Sequence, residues 1–221
     1  MFRRTRILAM LAAVLLAVSI PVPALASAEA IPWDGICDIL NDVYDSENFY
    51  WDLDQEPLAC KSDENGDGIW ELLLVYPCRN DDGLVYVMEN VWLVTEEESK
   101  CVGMGVLFNE VGGNSGTLTL AKRDGELYVL VQTQEPDGDS FHDFYDIFSL
   151  AEGEIELGED YFMMTRTGVY GQEDDADYVV GKEAVTREEF EDILNSFEIC
   201  YTLDILADPD GDVMPFNVML S

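Results

Sequence analysis

Asp63, Asn65 and Asp67 occupy alternate positions in the stretch "SDENGDGIWELLLVYP", with Gly66 and Gly68 among them and Glu71 just downstream. Oxygen donors spaced this way around a tight turn are what a hard cation requires. Calcium takes six to eight oxygen ligands at ~2.3–2.6 Å, and a short loop can supply most of them locally. Counting from Asp63, the three side chains fall at loop positions 1, 3 and 5. Gly68 follows at position 6, where the chain must turn sharply. Ile69 at position 7 can present its main-chain carbonyl, and Glu71 stands at position 9. The predicted metal site is therefore Asp63, Asn65, Asp67, Ile69 and Glu71, with calcium as the cofactor.

The apolar run after the loop gives Glu71 a second meaning. A strand over Ile69–Tyr76 puts Ile69, Glu71, Leu73 and Val75 on one face and Trp70, Leu72, Leu74 and Tyr76 on the other. Both faces are otherwise apolar, as in a strand covered on each side. An unpaired carboxylate there costs several kcal/mol or takes up a proton, and a bound cation removes that cost. The alternative is a metal-free acidic turn, with Glu71 reaching water from the strand's end.

The D-x-[DN]-x-D-G spacing resembles the calcium loops of EF-hand and dockerin proteins. Its D-x-N-G-D-G-x-x-E-L form looks more like the loops that precede strands in FG-GAP-type and related secreted bacterial β-proteins. That resemblance spans Asp63 to Leu72 and implies calcium binding in a structural role. Position 12 is Leu74 rather than the Glu of an EF-hand, and the flanks do not read as a helix pair. A fixed loop-strand site is expected, not a calcium-triggered switch.

Other acidic groups are weaker candidates. Asp208, Asp210 and Asp212 repeat the first three ligand positions, but Val213 replaces the glycine and Phe216 the acid at position 9. Glu135, Asp137, Asp139 and Asp143 have similar spacing and read better as a hairpin turn. The catalytic inventory is thin. His142 is the sole histidine, which removes His-rich zinc chemistry, and its strand context near a turn points to a surface position. Neither a G-x-S-x-G elbow nor a phosphate-binding glycine loop occurs. Glycoside hydrolysis needs only two carboxyl groups at a set separation, and Trp51, Trp70, Trp92 and the tyrosines could stack on sugars. A carbohydrate-binding β-module is thus the alternative function, with an acid-residue glycoside hydrolase behind it. It calls for an aromatic-lined cleft and a carboxyl pair of raised pKa away from the loop, whereas the non-enzymatic calcium-binding reading calls for neither.

Short spacing between turns decides what carries these residues. Strands are predicted over Ile69–Tyr76, Leu84–Thr95, Cys101–Asn109, Gly116–Lys122, Glu126–Gln134, Phe141–Leu150, Tyr161–Tyr170 and Tyr178–Gly181, with one more over Tyr201–Ala207. The connections hold Asn-Asp-Asp-Gly, Arg-Asp-Gly and Pro-Asp-Gly-Asp, which provide the positive φ that hairpins need. No crossover helix fits between them, so the sheet is antiparallel. An N-terminal helix is predicted from an Asp34 cap to Asp45, with Ile36, Ile39, Leu40, Val43 and Tyr44 on one stripe. Thr186 and Glu189 form a capping box for a second helix carrying Phe190, Ile193, Leu194 and Phe197. The expected fold is α+β, mainly β: a curved antiparallel meander of about seven to eight strands with both helices packed on it.

The N-terminus reads as a secretory leader. Arg3, Arg4 and Arg6 precede an apolar segment from Ile7 to Ile20, and Ala24-Leu25-Ala26 and Ala26-Ser27-Ala28 offer cleavage positions. An uncleaved membrane anchor is the alternative. Residues 1–28 are assigned to the signal peptide and 29–221 to one secreted domain. The formal net charge of −35 becomes more negative once three arginines leave with the leader. Such a surface repels phosphate backbones and anionic membranes, so an extracellular protein or glycan is the expected partner rather than nucleic acid or a membrane. Cys37, Cys60, Cys78, Cys101 and Cys200 remain. One or two disulfides suit a secreted chain, and a Cys60–Cys78 bridge would tie off the loop's base; buried free thiols are the alternative.

Overall fold

The computed structural model describes residues 31–50, 56–109, 115–150, 162–172, 175–204 and 213–219. The chain divides into two units, Met1–Ile31 and Pro32–Ser221, and the second carries all of the secondary structure among the described residues. The leader, Trp51 and the Asp208–Asp212 repeat lie outside the described residues.

Helix α1 (Trp33–Tyr44) leads into β1 (Leu58–Ser62), β2 (Trp70–Arg79), β3 (Val85–Val94) and β4 (Ser99–Asn109). Next come β5 (Ser115–Arg123), β6 (Glu126–Asp137), β7 (Ser140–Ser149), β8 (Phe162–Val169), β9 (Asp177–Val180) and β10 (Glu183–Val185). Helix α2 (Arg187–Asn195), β11 (Glu198–Asp204), β12 (Val213–Pro215) and the short α3 (Phe216–Met219) complete the order. The fold is α+β, mainly β, and every strand pairing is antiparallel.

The meander is divided into two sheets. The first has the order β12-β1-β2-β3-β4 and the second β10-β9-β8-β7-β6-β5-β11. Strand β11 returns past the hairpins to pair with β5, Glu198 opposite Lys122. The sheets face each other across an apolar core. Leu58 and Cys60 of β1, Leu73 and Val75 of β2, and Val87 and Val91 of β3 meet Leu118 and Leu120 of β5, Val129 and Val131 of β6, and Leu203 of β11. Each such side chain contributes ~1.5–3 kcal/mol on leaving water.

Each outer face is covered by a helix, which is why both faces of β2 are apolar. Ile36, Ile39 and Leu40 of α1 are buried, and on the same side Phe49 stacks on Tyr76, whose ring meets Phe216 at a tilt. On the second sheet, Phe190 of α2 makes edge contacts with Tyr145 and Tyr178, and Phe197 with Tyr128. The Thr186–Glu189 capping box is formed in both directions. Helix α1 starts differently from expectation: Pro32 is its N-cap, no side chain caps it, and Asp34 lies in the first turn. Proline suits that entry because its fixed φ is already helical and its missing N–H is not needed there.

All five cysteines are free. A Cys60–Cys78 bridge is ruled out by face: Cys60 points into the inter-sheet core, whereas Cys78 borders the cleft under α1. The 135–143 acids are a hairpin, as expected, with Gly138 at φ +61° in its turn. Asp143, inside β7, has a separate role. It is fully buried, and its Oδ2 accepts from Arg166 Nε at 2.8 Å and also from Arg166 Nη2, while Gln134 Nε2 donates to its Oδ1 at 2.7 Å.

Candidate metal centre

The acidic loop joins β1 to β2, and its shape is set by its own side chains. Asp63 Oδ1 accepts from the N–H groups of Gly66 (2.8 Å) and Asp67 (3.1 Å), and its Oδ2 accepts from Gly68 N–H at 3.2 Å. One carboxylate thus holds three amides of the turn. Asp67 Oδ1 accepts from Ile69 N–H at 2.8 Å, and Asn65 Nδ2 donates to Asp67 Oδ2 at 2.8 Å. Gly66 and Gly68 sit at φ +73° and +84°, a region that side chains disfavour, so the glycine at position 6 has the conformational role expected of it.

Neighbouring residues clamp the loop onto the second sheet. Glu64 accepts from Ser62 Oγ at 3.1 Å and from Lys122 Nζ of β5 at 2.8 Å. Lys122 holds the Glu64 carboxyl below its ordinary value, and Glu64 in turn raises Lys122. The ion pair is partly exposed, so it positions more than it stabilises.

Glu71 is the unusual member. It lies on the core face of β2 opposite Ser62 of β1 and is 2% exposed. Its Oε2 has no hydrogen-bond partner. Burial pushes its carboxyl up to about 8, main-chain amides of Glu71 and Glu64 oppose the shift, and the charges of Asp67 and Asp63 push it further. An acid buried in an apolar face, missing one partner and facing the field of two loop carboxylates, lacks a positive charge at that point. A dication accepted by the same oxygens supplies one. Carboxylates of Asp63, Asp67 and Glu71, the Asn65 amide oxygen and the Ile69 carbonyl are donor types that calcium takes, and those of Asp63, Asn65 and Asp67 are engaged with hydrogens of the turn itself.

Among the described residues, no three His, Cys, Asp or Glu side chains converge closely enough to hold an ion by themselves. The five-donor set mixes side-chain and main-chain oxygens, and Asp63 and Asp67 already accept amide hydrogens. No family model, curated protein or solved structure matches this chain.

Two further features stand out: Glu89, which lies outside the sequence-based expectations, and an aromatic-lined cleft, which the carbohydrate alternative calls for and the leading reading does not. Glu89 of β3 lies between Val87 and Val91 on the core face, 6% exposed, and its Oε2 has no hydrogen-bond partner. Burial, followed by the charge of Asp146, pushes its carboxyl up to about 7. The strict alternation Val85, Val87, Glu89, Val91, Leu93 carries that signal, just as the alternation around Glu71 does. The second feature is a cleft of about 360 Å³ between α1 and the outer face of the first sheet. Tyr76, Tyr86 and Trp92 line it together with Asn48 and Asn90, and Trp92 Nε1 is a buried donor with no partner. Burial raises both tyrosines, Tyr76 more than Tyr86, so their hydroxyls stay protonated. His142 is half-buried, with Nδ1 3.3 Å from Thr167 Oγ1.

Proposed function

We propose that this is a secreted, non-enzymatic calcium-binding protein, in which one ion on Asp63, Asn65, Asp67, Ile69 and Glu71 fixes the entry to β2 and serves an extracellular binding or structural role. The observation that carries this reading is Glu71, a buried carboxyl with an orphan oxygen beside two loop aspartates. The leader-like N-terminus supports export, and the acidic surface favours a protein or glycan partner over nucleic acid or membrane. Among the described residues no helix is long and apolar enough to cross a membrane.

Magnitude separates a standing ion from a switch. Extracellular sites bind calcium with Kd of about 10⁻⁴ to 10⁻³ M. At ~2 mM calcium and a Kd near ~0.1 mM, binding adds roughly 1.8 kcal/mol of stability. That supports a marginal fold but falls short of the ~5.5 kcal/mol needed to invert a two-state population. Calorimetric titration should give one ion per chain, with protons released below pH ~8 as Glu71 ionises. Binding that persists at full strength in Glu71→Gln, with no proton release from the native protein, would defeat the assignment.

A second reading, carbohydrate recognition, is favoured by the cleft with aromatic walls under α1. Its exposed polar residues Ser46 and Asn48 suit hydroxyl groups, and its aromatic rings suit sugar faces. Hydrolysis is not favoured, because Glu89 projects from β3 on the face opposite Asn90 and Trp92. A glycan array that retains the native protein but not Trp92→Ala would support recognition; an array with no binding would end that reading.

A further inference from the structure

Behind Glu89 the two sheets do not close. A cleft of about 240 Å³, opening to the surface beside Met104, lies between β3 and β4 on one side and β6 and β7 on the other. Val91, Val102, Val129, Val131 and Phe148 form apolar walls, and Glu89 is the ionisable residue that lines it. Two glycines of β4 lie beside Glu89 and Val91. Gly105 is the strand partner of Glu89 and Gly103 that of Val91. A Cβ at Gly105 would fall 2.2 Å from Glu89 Oε1, so only glycine leaves the carboxyl where it is.

Apolar walls around a space of this size remain in contact with water instead of with each other. A buried carboxyl with an orphan oxygen adds a desolvation penalty. Both defects meet at one point, and one kind of ligand repairs both. The ligand needs an apolar body to fill the space and a cationic donor to meet the acid. No Lys, Arg or His stands among the described lining residues, and Asp146 adds further negative potential at the carboxyl. At ~30 Å³ for each non-hydrogen atom, the share of one water in the liquid, the volume takes about eight such atoms.

We infer that this cleft binds a small primary amine with a short apolar body, its ammonium group seated on the Glu89 carboxylate. A charge-assisted hydrogen bond in a desolvated site gives roughly ten- to hundredfold in affinity over a neutral donor. Shape and charge together then discriminate: an alcohol of equal length retains the packing and loses the ion pair, and a carboxylate of equal length is repelled. This site is independent of the calcium loop.

The test is titration of the full chain with n-hexylamine, hexan-1-ol and hexanoate, in millimolar calcium and ~0.15 M salt so that the acidic surface is screened. The amine should bind roughly ten- to hundredfold more tightly than the alcohol, and hexanoate should not bind. Glu89→Gln should bring the amine down to the level of the alcohol. Val131→Phe, which fills the space without touching the acid, should abolish binding of both while the fold persists by circular dichroism. Absence of amine binding, equal affinity for amine and alcohol, or full amine affinity in either variant would overturn the proposal.

Discussion

Buried acids in this molecule are treated in two ways. Asp143, on the outer face of the second sheet, is fully enclosed, yet both its oxygens are met by side chains directly across the ladder, Gln134 from β6 and Arg166 from β8. Between the sheets, Glu71 and Glu89 each keep an oxygen without a partner and are pushed toward the protonated form. The first arrangement is self-sufficient, since charge and hydrogen bonds close within the fold. The second is incomplete, and what it lacks at both places is positive charge. Asp143 is completed by the chain, whereas Glu71 and Glu89 each leave one oxygen unmet by the described residues.

The largest effect that would break this contrast is alkaline destabilisation of the calcium-free protein. Glu71 and Glu89 hold protons in the folded state that the unfolded chain gives up near its ordinary value of 4.5. Their contribution is fully present below pH ~4.5 and is lost as pH rises through about 7 for Glu89 and about 8 for Glu71. The shifts correspond to at most about 5 kcal/mol for Glu71 and about 3 kcal/mol for Glu89. Denaturant melts in chelator should therefore weaken steeply between pH ~5 and ~8.5. Glu71→Gln should remove the larger part of that slope and Glu89→Gln the smaller. A flat profile would mean that both acids reach water or a partner.

Breaking the self-sufficient arrangement should cost somewhat less. Asp143→Ala leaves Arg166 partly exposed and able to hydrate, so a loss of about 3 kcal/mol is expected, at the low end for a buried pair. Calcium should not change that loss. Gly105→Ala sharpens the comparison from the other side, because its methyl group collides with Glu89 Oε1. The expected cost is about 1–3 kcal/mol in urea melts, falling when combined with Glu89→Ala. A loss unchanged in the double variant would show that the two residues are not coupled. Smallest is Thr186→Ala at the α2 cap, about 1 kcal/mol, independent of calcium and of pH above the carboxylate range where Glu189 stays ionised, which serves as the control.

Legibility in the sequence depends on range. Local signals are plain in it: the positive-φ glycines of the turns, the capping box at Thr186, and the strand that carries Glu71 inward. Short elements are not: β1 has five residues after Pro57, and β10 and β12 have three each, too few for alternation to register. The division into two sheets is also hidden, because β4 and β5 carry the same local pattern whether their hairpin stays in one sheet or crosses to another. Only long-range pairing decides it, above all the return of β11 to β5. Glu89 is legible in principle, since it interrupts an apolar stripe as Glu71 does, but no neighbouring loop of oxygen donors marks it out. The aromatic cleft requires α1 to be placed over β3, which no local pattern encodes.

The most direct test of an ion-completed Glu71 is the thermal midpoint of the protein in ~2 mM calcium and after chelation, measured beside Asp67→Ala. A stabilisation of roughly 1.8 kcal/mol in a domain of this size predicts a rise of about 4–7 °C with calcium, absent in the variant. If neither chelation nor the substitution moves the midpoint, the loop is an acidic turn that completes itself, and Glu71 is not waiting for an ion.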